Sequence, residues 1–226
     1  MADKILAGEK KVKRHGFSVR VVHWTVAVST FLLIFSGIGQ LPVYRRYMLD
    51  RLPGLAWTSD FSVTLAIHYW AAVLLILAVT YHLVYHGLRR DRGILPRRGD
   101  VRQSVRIIMA MLGQGEEPEN DKYLAEQRLA YAFIGFSLLL LIVTGLVKVL
   151  KNLPGVDLGA DIIFWVTALH NAAMVLLMLG IAAHLAAFLF KENRYLLPGM
   201  FTGKVDLDYV RRRHQLWYRR LAQKGR

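Results

Sequence analysis

ALHNAAMVLLMLGIAAHLAAFLF, residues 168–190, is long and apolar enough to cross a bilayer, yet it carries His170 and His184. At about 100° per residue, fourteen steps return the second ring to within about 40° of the first. At roughly 1.5 Å rise each, the two lie about 21 Å apart along the axis. Both imidazoles therefore share one helix face, one towards each side of the hydrocarbon. A helix that holds two redox centres stacked across a membrane has this pattern.

The rest of the composition agrees with a membrane protein. The 226 residues are 54% hydrophobic but hold thirty Lys and Arg against sixteen Asp and Glu, with a mean hydropathy of +0.32. The positive charge sits between apolar segments rather than over an amphipathic soluble surface, which argues against nucleic acid as a partner. There is no cysteine, which excludes disulfides, cysteine-held Fe–S clusters and covalently attached haem. The opening MADKILAGEKKVKRHGFSVR lacks the apolar core and small-residue cleavage site of a signal peptide, so the first span is expected to act as its own insertion signal.

Four stretches meet the requirement of roughly 20 apolar residues: about 19–40, 61–86, 128–150 and 162–190. The expected fold is all-α, a four-transmembrane-helix bundle forming a single domain over 1–226. Basic residues mark the cytoplasmic side. Six lie up to Arg20, nine between 87 and 128 and ten from Lys191 onward, against three and two in the other two connections. Both termini and the 87–127 loop are thus expected in the cytoplasm. Within that loop VRQSVRIIMAMLG (101–113) reads as an interfacial helix, with Arg102 and Arg106 available to lipid headgroups. LPVYRRYMLDRLPGLAWTSD (41–60) reads as a partly ordered cap at the outer interface.

Six of the eight histidines fall in or at the ends of these spans, and ionisable groups there are functional candidates. Sorted by depth they form two tiers. His68 and His170 lie towards the outer face; His184 lies towards the inner face with either His23 or His82, and His86 is near them. Each tier offers two neutral imidazole nitrogens to one haem iron, as in a low-spin electron-carrying b haem. His68 and His82 repeat the fourteen-residue step of His170 and His184, which favours His82 on spacing alone. Gly37, Gly39, Ala71, Ala72, Ala172 and Ala173 leave room for a flat macrocycle or serve plain helix packing. A histidine-relay transporter is the competing class. It requires a polar thread between the tiers, and 168–190 offers only Asn171 besides the rings.

The motifs VHWTVAVSTFLLIFSGI, IHYW, VTG (143–145), LHNAAMVLLMLGIAAH and GMFTGKVDLDYVRRRHQLWYRR, in this order, resemble the membrane cytochrome b (gamma) subunit of respiratory formate dehydrogenases. That family is related to the cytochrome b subunit of membrane-bound hydrogenases, and the likeness covers nearly the whole chain. The resemblance implies two b haems in a bacterial or archaeal inner membrane. One would be held by His68 and His170 and the other by His23 and His184, which moves the inner ligand from His82 to His23. It also implies an iron–sulfur subunit that delivers electrons, a catalytic dehydrogenase subunit, and quinone reduction at the cytoplasmic side. No substrate dehydrogenase site is present in this chain itself.

The family's quinone stretch usually reads Lys-Tyr-Asn-Ala-Gly-Gln, where this chain has KYLAEQ (122–127). Leu124 replaces the amide and Glu126 the glycine, and a leucine neither donates to nor accepts from a quinone carbonyl. Tyr123, Glu126 and Gln127 are therefore the quinone candidates, or the electrons pass to another carrier. A membrane-bound hydrogenase is the alternative donor enzyme. Arg20, Arg128 and Arg194 are candidates for haem propionates. His214, Trp217 and Tyr218 read as a docking or membrane-surface segment, in a basic tail (191–226) that suits anionic lipid. Met109, Met111, Met174 and Met178 read as packing residues rather than ligands.

Overall fold

The computed structural model describes residues 4–5 and 10–224. The expectation that the chain lacks a leader falls partly on residues 1–3 and 6–9, outside the described residues. The chain forms two compact units, Ser18–Arg90 and Met1–Phe17 with Asp91–Arg226.

The first unit is a helical hairpin of α1 (Phe17–Gly39) and α3 (Phe61–Arg89). The connection is ordered: α2 (Pro42–Arg46) and two short 3₁₀ turns fill it, and the Tyr44 and Thr58 hydroxyls meet at 2.6 Å in the interior. Asp60 starts α3, its carboxylate accepting from the amides of Ser62 at 2.8 Å and Val63 at 3.3 Å. A short acceptor ahead of an apolar run is a favourable N-cap because it satisfies amides that have no helical partner. Arg90, in the left-handed region at φ 50°, closes the helix.

The second unit contains α5 (Ala125–Leu150) and α6 (Ala160–Ala186), packed side by side, with α4 (Asp100–Met111) against α5. Gly180 of α6 lets Phe133 approach, since a Cβ there would lie 3.0 Å from the ring. Below them is a small base that the all-α expectation lacked. Strands β1 (Lys4–Ile5), β2 (Lys11–Lys13) and β3 (Lys204–Asp206) form an antiparallel sheet in that order, Val12 opposite Val205. Short helices α7 (Lys191–Arg194), α8 (Leu197–Thr202), α9 (Leu207–Arg213) and α10 (Gln215–Lys224) complete it. Val12, Val205, Tyr209, Val210, Trp217 and Leu221 form its core. Residues 191–224 are thus a folded element, where the sequence read a basic tail.

Among the described residues, helices α1, α3, α5 and the α6 segment to Leu189 are the four that are long and apolar enough to cross a membrane. Their large side chains point outward, among them Phe31, Trp70, Phe136, Trp165 and Leu179, all more than half exposed. An apolar surface of this extent belongs in hydrocarbon rather than water. Helix α4 buries Ser104 and Ile107 and exposes Val101, Val105, Ile108 and Leu112 beside exposed Arg102 and Arg106. That is the amphipathic surface expected of an interfacial helix.

Candidate functional site

Each unit carries one hydroxyl–imidazole pair of the same construction. In the first, Ser36 Oγ of α1 lies 2.9 Å from His68 Nδ1 of α3. In the second, Thr144 Oγ1 of α5 lies 2.8 Å from His170 Nδ1 of α6. Both hydroxyl residues are buried, Ser36 completely and Thr144 to 4% exposure. Each also back-bonds within its own helix: Ser36 Oγ to the Leu32 carbonyl at 2.7 Å, Thr144 Oγ1 to the Leu140 carbonyl at 2.7 Å.

These contacts decide the tautomer. A hydroxyl has one proton, and at 2.7 Å from a carbonyl oxygen that proton must lie between the two oxygens. The hydroxyl therefore donates to the carbonyl and accepts from the imidazole. His68 and His170 carry their protons on Nδ1, which makes Nε2 the unprotonated nitrogen of each ring. Next to each hydroxyl is a glycine, Gly37 or Gly145, where a Cβ would stand 3.5 Å from the ring Cε1 of His68 or His170. The bare backbone keeps the edge between the two nitrogens clear of a methyl group.

These features fit haem b. A haem iron takes neutral imidazole nitrogens with the second ring nitrogen donating to an oxygen acceptor, and a macrocycle needs an uncrowded ring edge. The sequence reading included Gly37 among small residues but assigned nothing to Ser36, Thr144 or Gly145. The signal was present as a hydroxyl–glycine dipeptide, SG at 36–37 and TG at 144–145.

The other candidate rings sit towards the opposite helix ends. His23, in the first turns of α1, stands edge-on to Trp24 with centroids 5.2 Å apart. His184, in the last turn of α6, stands edge-on to Phe188 at 6.0 Å. His82 and His86 are one helical turn apart on α3, with ring centroids separated by 4.5 Å.

In KYLAEQ the side chains divide into structural and available groups. Leu124 is fully buried with Ile107 and Ala125, so the residue that replaces the family's amide is a core residue here. Gln127 Oε1 accepts from the Leu124 amide and from Arg14 Nη2, both at 3.3 Å, and so serves as a helix cap. The Tyr123 ring lies 5.5 Å from the Arg14 guanidinium and 5.4 Å from the Lys122 ammonium. Glu126 differs from all of these: both carboxyl oxygens are buried and, among the described residues, neither has a hydrogen-bond partner.

Three other expectations are corrected. Arg128 is not available to a propionate, because Asp100 and the Tyr123 carbonyl occupy it. Arg194 caps the end of the fourth span, donating to the carbonyls of Phe188 at 2.9 Å and Leu189 at 3.1 Å. His214 and Trp217 form no docking surface: they are 0% and 2% exposed. His214 Nδ1 donates to the Asp121 carbonyl at 2.6 Å, and burial, aided by the nearby Arg14 charge, pushes its pKa down to about 3.

The sequence profile of the family described as "Prokaryotic cytochrome b561" matches residues 14–203. The cytochrome b556 subunit of Haemophilus influenzae formate dehydrogenase is 22% identical over 220 residues, covering 95% of this chain and 85% of that protein. The cytochrome b556(Fdn) subunit of the nitrate-inducible formate dehydrogenase of Escherichia coli K12 is 23% identical over 220 residues, covering 96% and 95%. The four apolar helices and the His-bearing hairpins are thus those of an integral membrane cytochrome, and the chain belongs to the prokaryotic cytochrome b561 family.

Proposed function

We propose that this chain is the dihaem cytochrome b subunit of a respiratory dehydrogenase of the formate dehydrogenase type. It anchors that enzyme in the inner membrane and carries electrons from an iron–sulfur subunit to quinone. The observation that carries the reading is the repeated hydroxyl–imidazole pair, Ser36 with His68 and Thr144 with His170, in a chain of this family. The names of the relatives, formate dehydrogenase cytochrome b556 subunits, supply the donor enzyme. Both termini are proposed to be cytoplasmic, on the charge asymmetry between connections.

A bound b haem supplies reversible one-electron exchange at its iron. His68 and His170, whose Nε2 atoms the hydroxyls leave unprotonated, would hold the outer haem, and His23 and His184 would hold the inner one. By helical spacing His170 and His184 lie on one face of α6, which would set two haem tiers. Quinone is the proposed acceptor near the cytoplasmic ends. There Glu126 is the group suited to it: a carboxyl both donates to a quinone oxygen and accepts from a quinol hydroxyl, and one buried without a side-chain hydrogen-bond partner among the described residues gains a partner when the ligand arrives. Tyr123 borders this stretch, while Gln127 supports it through the helix cap.

The test is a reduced-minus-oxidised visible spectrum of the purified chain with a pyridine haemochrome count. Two low-spin b haems per chain are expected; a protein without haem overturns the reading. Glu126→Gln, with both haems retained, is expected to slow quinone-dependent reoxidation of the reduced haems by about 10²- to 10⁴-fold if the carboxyl moves the proton.

A further inference from the structure

The two hydroxyls do more than fix a tautomer. We infer that Ser36 and Thr144 are matched positioning residues that lower the reduction potential of one haem, the one served by His68 and His170. The inference rests on the proposed haem ligation and goes beyond it, because ligation alone requires only the imidazoles.

The geometry carries the argument. In both pairs the hydroxyl is buried, back-bonds to the carbonyl four residues earlier at 2.7 Å, and presents its lone pair to Nδ1 at 2.8–2.9 Å. An imidazole whose Nδ1–H is drawn towards an oxygen becomes a better σ-donor at Nε2, since the ring gains imidazolate character. A better donor stabilises the ferric more than the ferrous iron, so the potential falls. Back-bonding strengthens this further, because a hydroxyl that donates its own proton is a better acceptor. Among the described residues the ring of His184 meets Phe188 at an edge-on 6.0 Å and receives no such hydroxyl. The haem of the doubly hydroxylated pair therefore sits lower in potential than it would with the two imidazoles alone.

The two devices reached this geometry on different helices and by different routes. Ser36 and His68 are 32 residues apart, Thr144 and His170 only 26. One residue is serine and the other threonine, yet acceptor, donor and following glycine coincide. Packing alone does not require a hydroxyl at either position, as alanine fills the space of serine and valine that of threonine.

The experiment is a potentiometric titration of the haem-loaded chain, followed optically and by EPR, for wild type, Ser36→Ala, Thr144→Val and Thr144→Ser. Ser36→Ala and Thr144→Val are each expected to raise the reduced-to-oxidised ratio of one haem at fixed ambient potential about three- to tenfold, tenfold being about 59 mV for a one-electron couple. It is expected to be the same haem in both variants, with the second haem unmoved. Thr144→Ser, which keeps the hydroxyl, is expected to titrate like wild type. Wild-type titration in both hydroxyl-free variants overturns the inference, as does movement of a different haem in each. A wild type without haem overturns the underlying proposal instead, and the haem count distinguishes the two failures.

Discussion

Arg128 clasps Asp100: Nε reaches Oδ2 at 2.8 Å and Nη2 reaches Oδ1 at 2.5 Å, with both residues at most 3% exposed. The carboxylate also accepts from the Arg97 amide at 2.8 Å, and Arg128 Nη1 donates to the Tyr123 carbonyl. The pair ties the start of α4 to the first turn of α5 and closes the KYLAEQ stretch. Removing one partner strands the other, so Asp100→Ala is expected to cost about 3–5 kcal/mol, read as lost amide-exchange protection along α4. The Arg128 hydrogen bonds hold the Asp100 carboxyl below the usual carboxylate range against the opposing effect of burial. A depressed carboxyl stabilises the fold above its unfolded pKa of about 3.9, and the contribution is lost as pH falls through the folded value. Protection of α4 is therefore expected to hold at pH 5 and to decline below pH 4, whereas Asp100→Asn is expected to show no such decline.

His214 has the opposite chemistry but the same direction with pH. It is buried neutral, its pKa at about 3, while the unfolded ring titrates near 6.5. Between these values the unfolded base binds a proton that the folded base refuses. Its contribution is complete above about pH 6.5 and falls by about 1.4 kcal/mol per pH unit as the solution is acidified towards pH 3. Asparagine keeps a donor for the Asp121 carbonyl and does not titrate. Urea unfolding of the base, followed by Trp217 fluorescence at pH 7 and pH 5, is expected to show a shallower pH dependence for His214→Asn. Parallel curves for the two proteins would sink the assignment.

These buried pairs also explain what local sequence reading reaches and what it misses. Span positions are legible because each run is apolar for longer than any soluble core helix needs, and the observed α1, α3, α5 and α6 begin and end within a few residues of the expectation. The placing of His170 and His184 on one long helix is legible too, and both lie on α6. The base is not. Arg213 meets Glu117 from 96 residues away, and Arg14 meets Gln127 from 113. In sequence such arginines are indistinguishable from the charges that set orientation. Strands β2 and β3 are three residues each, too short for alternation to register. Ser36 and Thr144 escape notice for another reason: a back-bonded hydroxyl is unremarkable in a membrane helix until a histidine one span away is seen to use it.

Gly180 decides how closely α5 and α6 pack. An added methyl would stand 3.0 Å from Phe133 Cδ1 and Cε1 and 3.2 Å from Ile134 Cγ1. Small residues at such crossings let membrane helices gain dispersion contact, and overpacking them costs about 1–3 kcal/mol. Alanine also gains about 1 kcal/mol of helix propensity over glycine. Gly180→Ala is thus expected to destabilise modestly by thermal unfolding in detergent. In a Phe133→Leu background the same substitution is expected to become neutral or stabilising, because the two closest contacts are gone, only the 3.2 Å approach to the flexible Ile134 Cγ1 is left, and the propensity gain remains. The reversal of sign is the diagnostic result.

In the proposed dihaem reading the inner ligand is a choice between two histidines. Spacing favours His82, which repeats the fourteen-residue step; resemblance favours His23. In the structure His82 has His86 one turn away, 4.5 Å between centroids with the rings tilted at 46°, and two neighbouring imidazoles on one helix suit proton exchange near the surface. His23 lies instead beside Trp24, ring edge to face, an aromatic wall of the kind that shields a bound macrocycle from lipid. His23→Ala is therefore expected to lose one of two haems, and His82→Ala to keep both. A pyridine haemochrome count on each purified variant reads the difference directly. If His82→Ala loses a haem while His23→Ala retains both, the inner ligand is His82, and His23 becomes the residue to examine for proton transfer.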